Sequence, residues 1–283
     1  MLRQSLLGTT VLAAALFMAF AEAHAFDESK YPDLKGQWVR ARVPGVSGQP
    51  GYDPTKNQGL AQKAPLKPEF QAILEANIKD QAAGGQGGDP TYACISPGMP
   101  RIMNPYGDME IVITPDTTHI LLEHIHDSRR IFTDGRSWPT GYIEPSYRGY
   151  SIGKWLDTDG DGRYDLLEVE TRGFKSPRTF EGSGLPLHRD GESVIKERIY
   201  LDNADKNLLH DEVTVIDHAL TRPWTVTRHY QRDPDGVWDF VDCAENNPHV
   251  VIGNETYMMS ADGYLMPTKP DQPAPDLRYF KKK

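Results

Sequence analysis

The sequence has few cysteines, fewer basic than acidic residues and, after its first 25 residues, no long apolar run. Lysine and arginine total 31 against 40 aspartate and glutamate, which gives a formal net charge of −9. An acidic chain is a poor partner for nucleic acid and for anionic membrane surfaces, so both are excluded as expected partners. Because no segment after residue 25 is apolar enough to span a bilayer, no membrane span is expected in the mature chain.

Several catalytic motifs are also missing from the sequence. There is no G-x-S-x-G nucleophile elbow, no phosphate-binding P-loop, no dinucleotide fingerprint and no H-E-x-x-H helix. These absences exclude the common serine hydrolases, nucleotide-binding enzymes and zinc proteases as expectations. They leave a small-molecule substrate or ligand as the expected partner.

The first 25 residues have the order of a secretory signal peptide. Arg3 precedes an apolar run from Leu6 to Phe20, and the triplet Ala23-His24-Ala25 has the small residues of a cleavage site. The run is shorter than the roughly 20 apolar residues that a membrane anchor needs. We therefore expect cleavage after Ala25 and a periplasmic or secreted protein.

The chain has two cysteines, Cys94 and Cys243, both in the expected mature part. In an oxidising compartment an isolated pair usually forms a disulfide. The alternative is a free nucleophilic thiol, which needs a nearby base and a reducing environment. The disulfide is the favoured interpretation.

The mature chain begins with two regions of different pattern. Residues 26–66 are rich in glycine, proline and lysine without a sustained period, which predicts an extended arm over the surface. Residues 67–283 are then expected to form a single β-rich domain. It opens with one amphipathic helix from Pro68 to Ala83, with proline near its start and a glycine pair after its end.

From residue 108 onward, short β-branched and aromatic runs alternate with Gly, Pro, Asp and Asn. Such runs predict strands. The expected strands are 109–114, 118–126, 129–134, 149–155, 165–171, 193–201, 208–217, 224–232 and 236–243. Nine strands without intervening helices predict a mainly β fold, an antiparallel meander that closes into a lipocalin-like barrel or stacks as a sandwich.

The segment DTDGDGRYDLLE, residues 157–168, matches the calcium loop of an EF-hand. Such a loop takes ligands from positions 1, 3, 5, 7, 9 and 12 and glycine at position 6. Gly162 occupies the turn position. The expected ligands are Asp157, Asp159, Asp161, the carbonyl of Arg163, Asp165 and Glu168.

The residues on both sides of this loop are strand formers, so the loop is expected at the tip of a β-hairpin rather than between helices. Clustered carboxylates repel each other unless a hard cation neutralises them. We therefore expect structural Ca²⁺ there, with a role in stability. The alternative is a solvated acidic turn.

Two histidines, His124 and His126, lie two residues apart in a predicted strand, so they share one face. Such a pair can supply two ligands to a transition metal. No second motif with metal-ligand spacing accompanies it, and a polar strand face or an acid–base pair explains it as well. A transition metal here is therefore the weaker interpretation.

Further candidate groups follow in the chain. Arg130 and Arg136 flank a predicted Asp134-Gly135 turn, and guanidinium groups at these positions can hold a carboxylate. His188 lies in a predicted loop, where catalytic groups are often presented. Glu197 and Arg198 follow in one strand, so they point to opposite faces and at most one of them faces a cavity, the alternative being an outward ion pair.

Several stretches together resemble a family of secreted, β-rich bacterial proteins of uncharacterised activity. They are CISPGMPRIM, RRIFTDGR, GYSIGKW, LEVETRGF, IKERI, TRPWTV and CAEN, spread over about residues 65–247. The resemblance implies a β-rich periplasmic or extracellular protein in which Cys94 and Cys243 belong to the shared pattern. Relatives look to have a shorter acidic turn between Trp155 and Leu167, so the resemblance does not imply calcium as a function common to the family.

Two functions follow as hypotheses. The first is an exported, calcium-stabilised β-barrel enzyme that performs acid/base chemistry on a small organic or sugar-like substrate, as a lyase, isomerase or hydrolase. His126 and His188 would act as acid and base, with His124 beside them and Arg130 or Arg136 holding a developing negative charge. The alternative is a periplasmic, lipocalin-like binding protein for an apolar small molecule.

Overall fold

Nine strands close into a barrel in the computed structural model, which describes residues 26–41, 55–123, 127–239, 242–245, 247–253, 255–276 and 278. Their order around the barrel is their order in the chain, and the last strand pairs back with the first. The predicted mainly β fold and its closure into a barrel are confirmed. The strands are β1 Gln37–Arg40, β2 Met109–Ile113, β3 Thr117–Leu122, β4 Asp127–Phe132, β5 Tyr150–Leu156, β6 Leu166–Arg172, β7 Val194–Leu201, β8 Leu208–Ile216 and β9 Trp224–Asp233.

One strand pair differs from the expected antiparallel meander. β4 and β5 run parallel, with Ile131 opposite Ser151 and Phe132 opposite Ile152. Parallel neighbours need a crossover rather than a tight turn. Residues 133–149 provide it, so the Asp134-Gly135 turn does not join a hairpin.

The strand that completes the barrel comes from the predicted arm. β1 pairs with β2 on one side and with β9 on the other, and its Trp38 is completely buried. Conversely, the predicted strand 236–243 carries no strand in its described part, residues 236–239 and 242–243. The four-residue strand β1 is too short for its alternation to stand out against the surrounding glycine and proline, which explains why the sequence pattern misses it.

Alternate residues of each strand point into the barrel and fill it. On β8, Leu209, Val213 and Val215 are buried on the same face, and Trp38 and Tyr230 are fully buried beside them. Packing is close enough that a Cβ added at Gly153 would lie 2.7 Å from the side chain of Ile131. The interior is therefore a core of side chains rather than an open channel.

Among the described residues, two α-helices and a second sheet lie outside the barrel strands. The helices are α1 Gln58–Ala61 and α2 Pro68–Ala82. The second confirms the predicted helix, with proline in its first turn and Leu74 buried. A separate three-stranded sheet contains β10 His249–Ile252, β11 Glu255–Met259 and β12 Leu265–Pro267.

The predicted disulfide is confirmed. Cys94 and Cys243 are bonded, with their Cα atoms 5.6 Å apart and 149 residues between them in sequence. In the part of the chain that the structure describes, no helix has both the length and the apolar character needed to cross a bilayer. The predicted signal segment, residues 1–25, lies outside the described residues.

Candidate functional site

The acidic loop, residues 157–165, connects β5 to β6 at the tip of an antiparallel hairpin, as expected. Asp157 accepts hydrogen bonds from the amides of Gly160 at 2.7 Å, Asp161 at 3.2 Å and Gly162 at 2.9 Å. Gly162 has φ +89°, a left-handed conformation that glycine adopts without strain. One carboxylate oxygen from each of Asp157, Asp159 and Asp161 lies within 4.8 Å of the others, so these three can share a cation.

The other predicted ligands of the acidic loop lie apart from this group. Asp165 accepts hydrogen bonds from the amide of Thr158 at 3.0 Å and from its hydroxyl. Glu168 lies in β6, opposite Lys154 and Arg198, and is exposed on the outer face of the barrel. The loop therefore brings together three of the five predicted carboxylates.

The acidic loop also contacts the segment that leads into β1. The amide of Tyr164 donates a hydrogen bond of 2.7 Å to the carbonyl of Lys30. The ring of Tyr31 packs against those of Tyr164 and Trp155, with centroids 5.0 and 5.5 Å apart. Order in the loop is thus linked to the position of the N-terminal segment.

Inside the barrel, an ion pair joins two strands that are not neighbours. Arg129 of β4 and Glu197 of β7 face each other as a guanidinium–carboxylate fork, with Arg129 Nη1 donating to Glu197 Oε1 at 2.7 Å. Their side chains are 1% and 0% exposed. Of the adjacent pair Glu197 and Arg198, the glutamate therefore faces the interior, while Arg198 points outward near Glu212.

Hydroxyl groups from the two intervening strands complete this arrangement. Arg129 Nη2 donates to Thr171 Oγ1 of β6 at 3.0 Å and lies 3.4 Å from Ser151 Oγ of β5. The two hydroxyl oxygens are 2.8 Å apart. A guanidinium held by two hydroxyls and a carboxylate is positioned rigidly, because each strand contributes one partner.

Beyond Glu197, the next strand carries a second buried acid. Asp211 of β8 lies two residues from Val213, which is opposite Glu197, so the two acids are diagonal neighbours on the inner face. Asp211 is 0% exposed, and neither of its carboxyl oxygens has a hydrogen-bond partner among the described residues. Burial, with the charge of Glu197 beside it, raises the pKa of the Asp211 carboxyl well above its usual range.

The final member of the row is Arg228 of β9, which is directly opposite Asp211. Its guanidinium donates to the carbonyl of Pro100 at 2.5 Å and stacks over the ring of Phe180, 4.9 Å from the centroid. Side chains from six consecutive strands thus form one polar belt inside the barrel. The polar belt consists of Arg129, Ser151, Thr171, Glu197, Asp211 and Arg228.

A short segment, residues 99–103, contacts the polar belt through Arg228 and is called the plug. Its residues Met99, Ile102 and Met103 are buried. Besides the bond from Arg228, the plug accepts a hydrogen bond from Arg178 Nη1 to the carbonyl of Met99 at 2.8 Å, and the hydroxyl of Tyr230 donates to the carbonyl of Met103. Interior side chains therefore hold the plug through its backbone.

The described members of the predicted catalytic set each have different neighbours. His124 and His126 lie outside the described residues. Arg130 is exposed on β4, opposite His119. Arg136 forms an ion pair with Asp134 at 2.6 Å and stacks over Phe132, so its guanidinium already has a carboxylate partner.

His188 lies in a loop before β7, as expected, but its partners were not expected. Asp190 Oδ2 is 2.8 Å from His188 Nδ1 and 2.5 Å from His218 Nδ1. The ring of His188 also packs against Phe70 of α2, with centroids 5.5 Å apart. His188, Asp190 and His218 form a group that is called the His–Asp–His cluster.

The sequence carries a weak signal for the polar belt. Asp211 occupies an inward position in the alternating segment LLHDEVTVID, where apolar residues are expected. In the pair Arg129-Arg130, alternation shows that one arginine faces inward but not which one. The register of the closed barrel identifies Arg129.

Comparisons with known proteins add no assignment. A scan against protein-family models found no matching family, and a search of the curated proteins found no match. The resemblance to secreted bacterial proteins stays a prediction. The chemistry of the polar belt, the acidic loop and the His–Asp–His cluster therefore has to be derived from their own geometry.

Proposed function

We propose that this protein is an exported β-barrel enzyme that performs acid/base chemistry on a small organic or sugar-like substrate, with the polar belt as its reactive centre. Lyase, isomerase and hydrolase reactions all need one group that donates a proton and one that accepts it. Asp211 is proposed as the donor and Glu197 as the acceptor. The observation that carries this proposal is Asp211, which is fully buried, has no hydrogen-bond donor among the described residues and lies beside the arginine-paired Glu197.

Two carboxyl groups in contrasting environments support these roles. Burial raises the pKa of Asp211, which favours its protonated form. Glu197 instead forms an ion pair with the guanidinium of Arg129. Adjacent carboxyl groups in contrasting environments are a recurring arrangement of acid/base enzymes.

Stabilisation of the fold does not explain why the barrel contains the polar belt. A buried ion pair is often no more stabilising than well-packed apolar residues of similar volume, because desolvation offsets the attraction. Asp211 adds a further cost, since a buried polar group without a partner destabilises a fold by about 1–3 kcal/mol. Groups that are costly to keep in a core are candidates for function.

The plug supplies a route by which a substrate can reach the polar belt. It is held by hydrogen bonds from Arg178, Arg228 and Tyr230, all to backbone carbonyls. Asp211 and Glu197 are both buried in the described state. Displacement of the plug would admit a substrate, and its return would exclude water during proton transfer.

The acidic loop is proposed to bind Ca²⁺ as a stabilising ion, outside the reactive centre. Asp157, Asp159 and Asp161 can contribute carboxylate oxygens and Arg163 its carbonyl, with water in the remaining positions. The contacts of Tyr164 with Lys30 and Tyr31 would carry this order to the segment before β1.

Export to the periplasm or the medium is proposed on two grounds. The sequence begins with the pattern of a signal peptide. The disulfide between Cys94 and Cys243 is compatible with an oxidising compartment.

Proton NMR in D₂O tests the enzymatic proposal without a known substrate. Purified protein with Ca²⁺ is incubated with a panel of sugars, keto sugars, uronates and glycosides. Isomerisation appears as loss of C–H signals to deuterium, elimination as new vinyl signals, and hydrolysis as new anomeric signals. We expect at least one of these changes with the wild-type protein.

Asp211→Asn and Glu197→Gln are the informative variants. Each should lower the rate found in the panel by about 10²–10⁴-fold, the usual contribution of a positioned acid or base. Glu170→Gln is the matched control, because Glu170 lies on the outer face of neighbouring β6. Unchanged turnover in a folded Asp211→Asn protein would overturn the assignment, and absence of turnover with a co-purified apolar molecule would favour the binding protein.

A further inference from the structure

The His–Asp–His cluster lies on the surface, where the loop before β7 meets the connection between β8 and β9. His188 and Asp190 come from the first segment and His218 from the second. One ligand atom from each of the three side chains lies within 4.8 Å of the other two. Two imidazoles and one carboxylate therefore converge on a common point.

We propose that His188, Asp190 and His218 bind one divalent transition metal ion, with Zn²⁺ as the best-matched ion. Imidazole nitrogen suits zinc, copper, iron and nickel, whereas calcium and magnesium prefer oxygen ligands. A donor set of two nitrogens and one oxygen therefore differs in kind from the all-oxygen set of the acidic loop. Three protein ligands also leave a fourth position of a tetrahedral ion for water or a ligand.

The distances between donor atoms are close to those that zinc needs. Metal–ligand bonds of about 2.0–2.2 Å in a tetrahedron place neighbouring ligand atoms about 3.3 Å apart. The observed separations from Asp190 Oδ2 are 2.8 Å to His188 Nδ1 and 2.5 Å to His218 Nδ1. By the same geometry, an ion can bind if these ligand atoms move apart by less than about 1 Å.

Exposure allows this opening and gives an ion access. The side chain of His218 is 65% exposed and that of His188 is 36% exposed. His218 can therefore rotate outward without disturbing the core. His188 Nδ1 accepts a hydrogen bond from the amide of Asp190 at 3.2 Å, and an ion bound at this nitrogen would replace it.

Residues around the cluster hold its backbone in place. Asp217, which is adjacent to His218, accepts hydrogen bonds from the amides of His188 at 2.9 Å and Ala219 at 2.8 Å. Ser193 also donates its hydroxyl to Asp217. Asp217 thus fixes the two chain segments that carry the ligands relative to each other, which is the supporting role that outer residues have in metal sites.

A second set of contacts orients the ligands themselves. Asp190 Oδ1 accepts a hydrogen bond from the amide of Glu192 at 3.0 Å, which leaves Oδ2 directed at the two histidines. Phe70 packs on the ring of His188. The carboxylate and one imidazole are therefore oriented before an ion binds, so little ordering is needed on binding.

Isothermal titration calorimetry with ZnCl₂ tests this proposal on the mature protein. The protein is first stripped of transition metals and is then kept in saturating Ca²⁺, so that the acidic loop is occupied. We expect one Zn²⁺ per chain and a rise in melting temperature on binding. Co²⁺ gives an independent readout, because its visible absorption reports the ligand geometry. A wild-type protein that shows neither Zn²⁺ heat nor Co²⁺ absorption overturns the proposal.

Variants locate the ion. His188→Ala combined with His218→Ala should abolish binding, and Asp217→Asn should weaken it about 10–100-fold, as outer residues of metal sites do. His119→Ala, a surface histidine of β3, is the matched control and should bind as the wild type does. If the double variant still binds while His124→Ala with His126→Ala does not, the ion belongs to the H-x-H pair and the cluster is not the site.

Turnover by the polar belt plays no part in this measurement. Loss of binding in the cluster variants with unchanged Asp211-dependent turnover would support both proposals. Zinc binding without any turnover in the substrate panel would support the metal site and count against the enzymatic one. The two proposals therefore fail independently.

Discussion

The acidic loop and the polar belt place the same side chain in opposite environments. Asp157 is exposed and accepts three backbone hydrogen bonds, of which the one from Gly162 contributes most to lowering its pKa. Asp211 is completely buried with no donor in the described part of the chain, and burial raises its pKa. Donors and water favour a carboxylate that can bind a cation, whereas their absence favours a carboxyl that holds a proton.

The largest expected effect comes from breaking the buried ion pair. Glu197→Ala leaves the guanidinium of Arg129 buried and unpaired, so the free energy of unfolding should fall by about 3–5 kcal/mol. Urea unfolding at fixed Ca²⁺ measures this change. Replacing both partners, Arg129→Met with Glu197→Leu, should recover most of the loss.

Arg198→Ala is the control for that prediction. Arg198 is next to Glu197 in β7 but points outward, 3.9 Å from Glu212, and its side chain is 50% exposed. A separated surface pair contributes little. If Arg198→Ala were as destabilising as Glu197→Ala, the contrast between the two faces of the strand would be wrong.

A smaller effect is expected from calcium at the acidic loop. At a free concentration 100 times the Kd, binding to the folded state alone stabilises it by about 2.7 kcal/mol. The melting temperature should therefore be higher in Ca²⁺ than in EGTA, and Asp157→Asn with Asp161→Asn should remove the difference. Asp205→Asn changes a turn carboxylate elsewhere and should retain it. Equal melting temperatures in Ca²⁺ and EGTA for the wild type would count against the calcium proposal.

The smallest expected effect is a stabilisation by Asp211→Asn that depends on pH. Below about pH 4 the acid is protonated in both the folded and the unfolded chain, so it makes no difference there. Above that pH the unfolded chain ionises while the folded chain keeps its proton, so the wild type loses stability as pH rises towards the folded-state pKa. The Asp211→Asn protein does not lose stability in this way. It should therefore be more stable than the wild type at pH 7 by on the order of 1 kcal/mol.

Thermal unfolding of both proteins between pH 4 and 7 measures that difference. We expect the two melting temperatures to converge at the acidic end. A difference that grows as pH falls would mean that Asp211 is ionised and stabilised in the folded protein, contrary to its environment.

The barrel could be predicted largely because its strands follow simple alternation. Eight of the nine predicted strands coincide with β2 to β9, since β-branched runs between turn residues are a local signal. β1 and the parallel pair β4–β5 could not be predicted in this way. Both depend on which distant strand supplies hydrogen bonds, and that choice leaves no local pattern.

For the same reason, the sequence predicted the acidic loop but neither the polar belt nor the His–Asp–His cluster as a group. The acidic loop is contiguous in sequence, so spacing alone located it at its hairpin tip. The polar belt takes one residue from each of six strands, and the His–Asp–His cluster joins positions 188 and 218. Residues that meet only through folding carry no spacing signal.

The sequence by itself determined the alternating strands, the helix from Pro68, the cysteine pair and the acidic loop, because each depends on neighbouring residues or on residue type. Only the tertiary structure decided that Arg129 and Glu197 face each other, that Asp211 is fully buried, and that Asp190 lies between two histidines. The physical reason is that the sheet closes into a barrel. A closed barrel brings distant inner faces into contact and excludes water from them, and these two conditions set the chemistry of the groups inside.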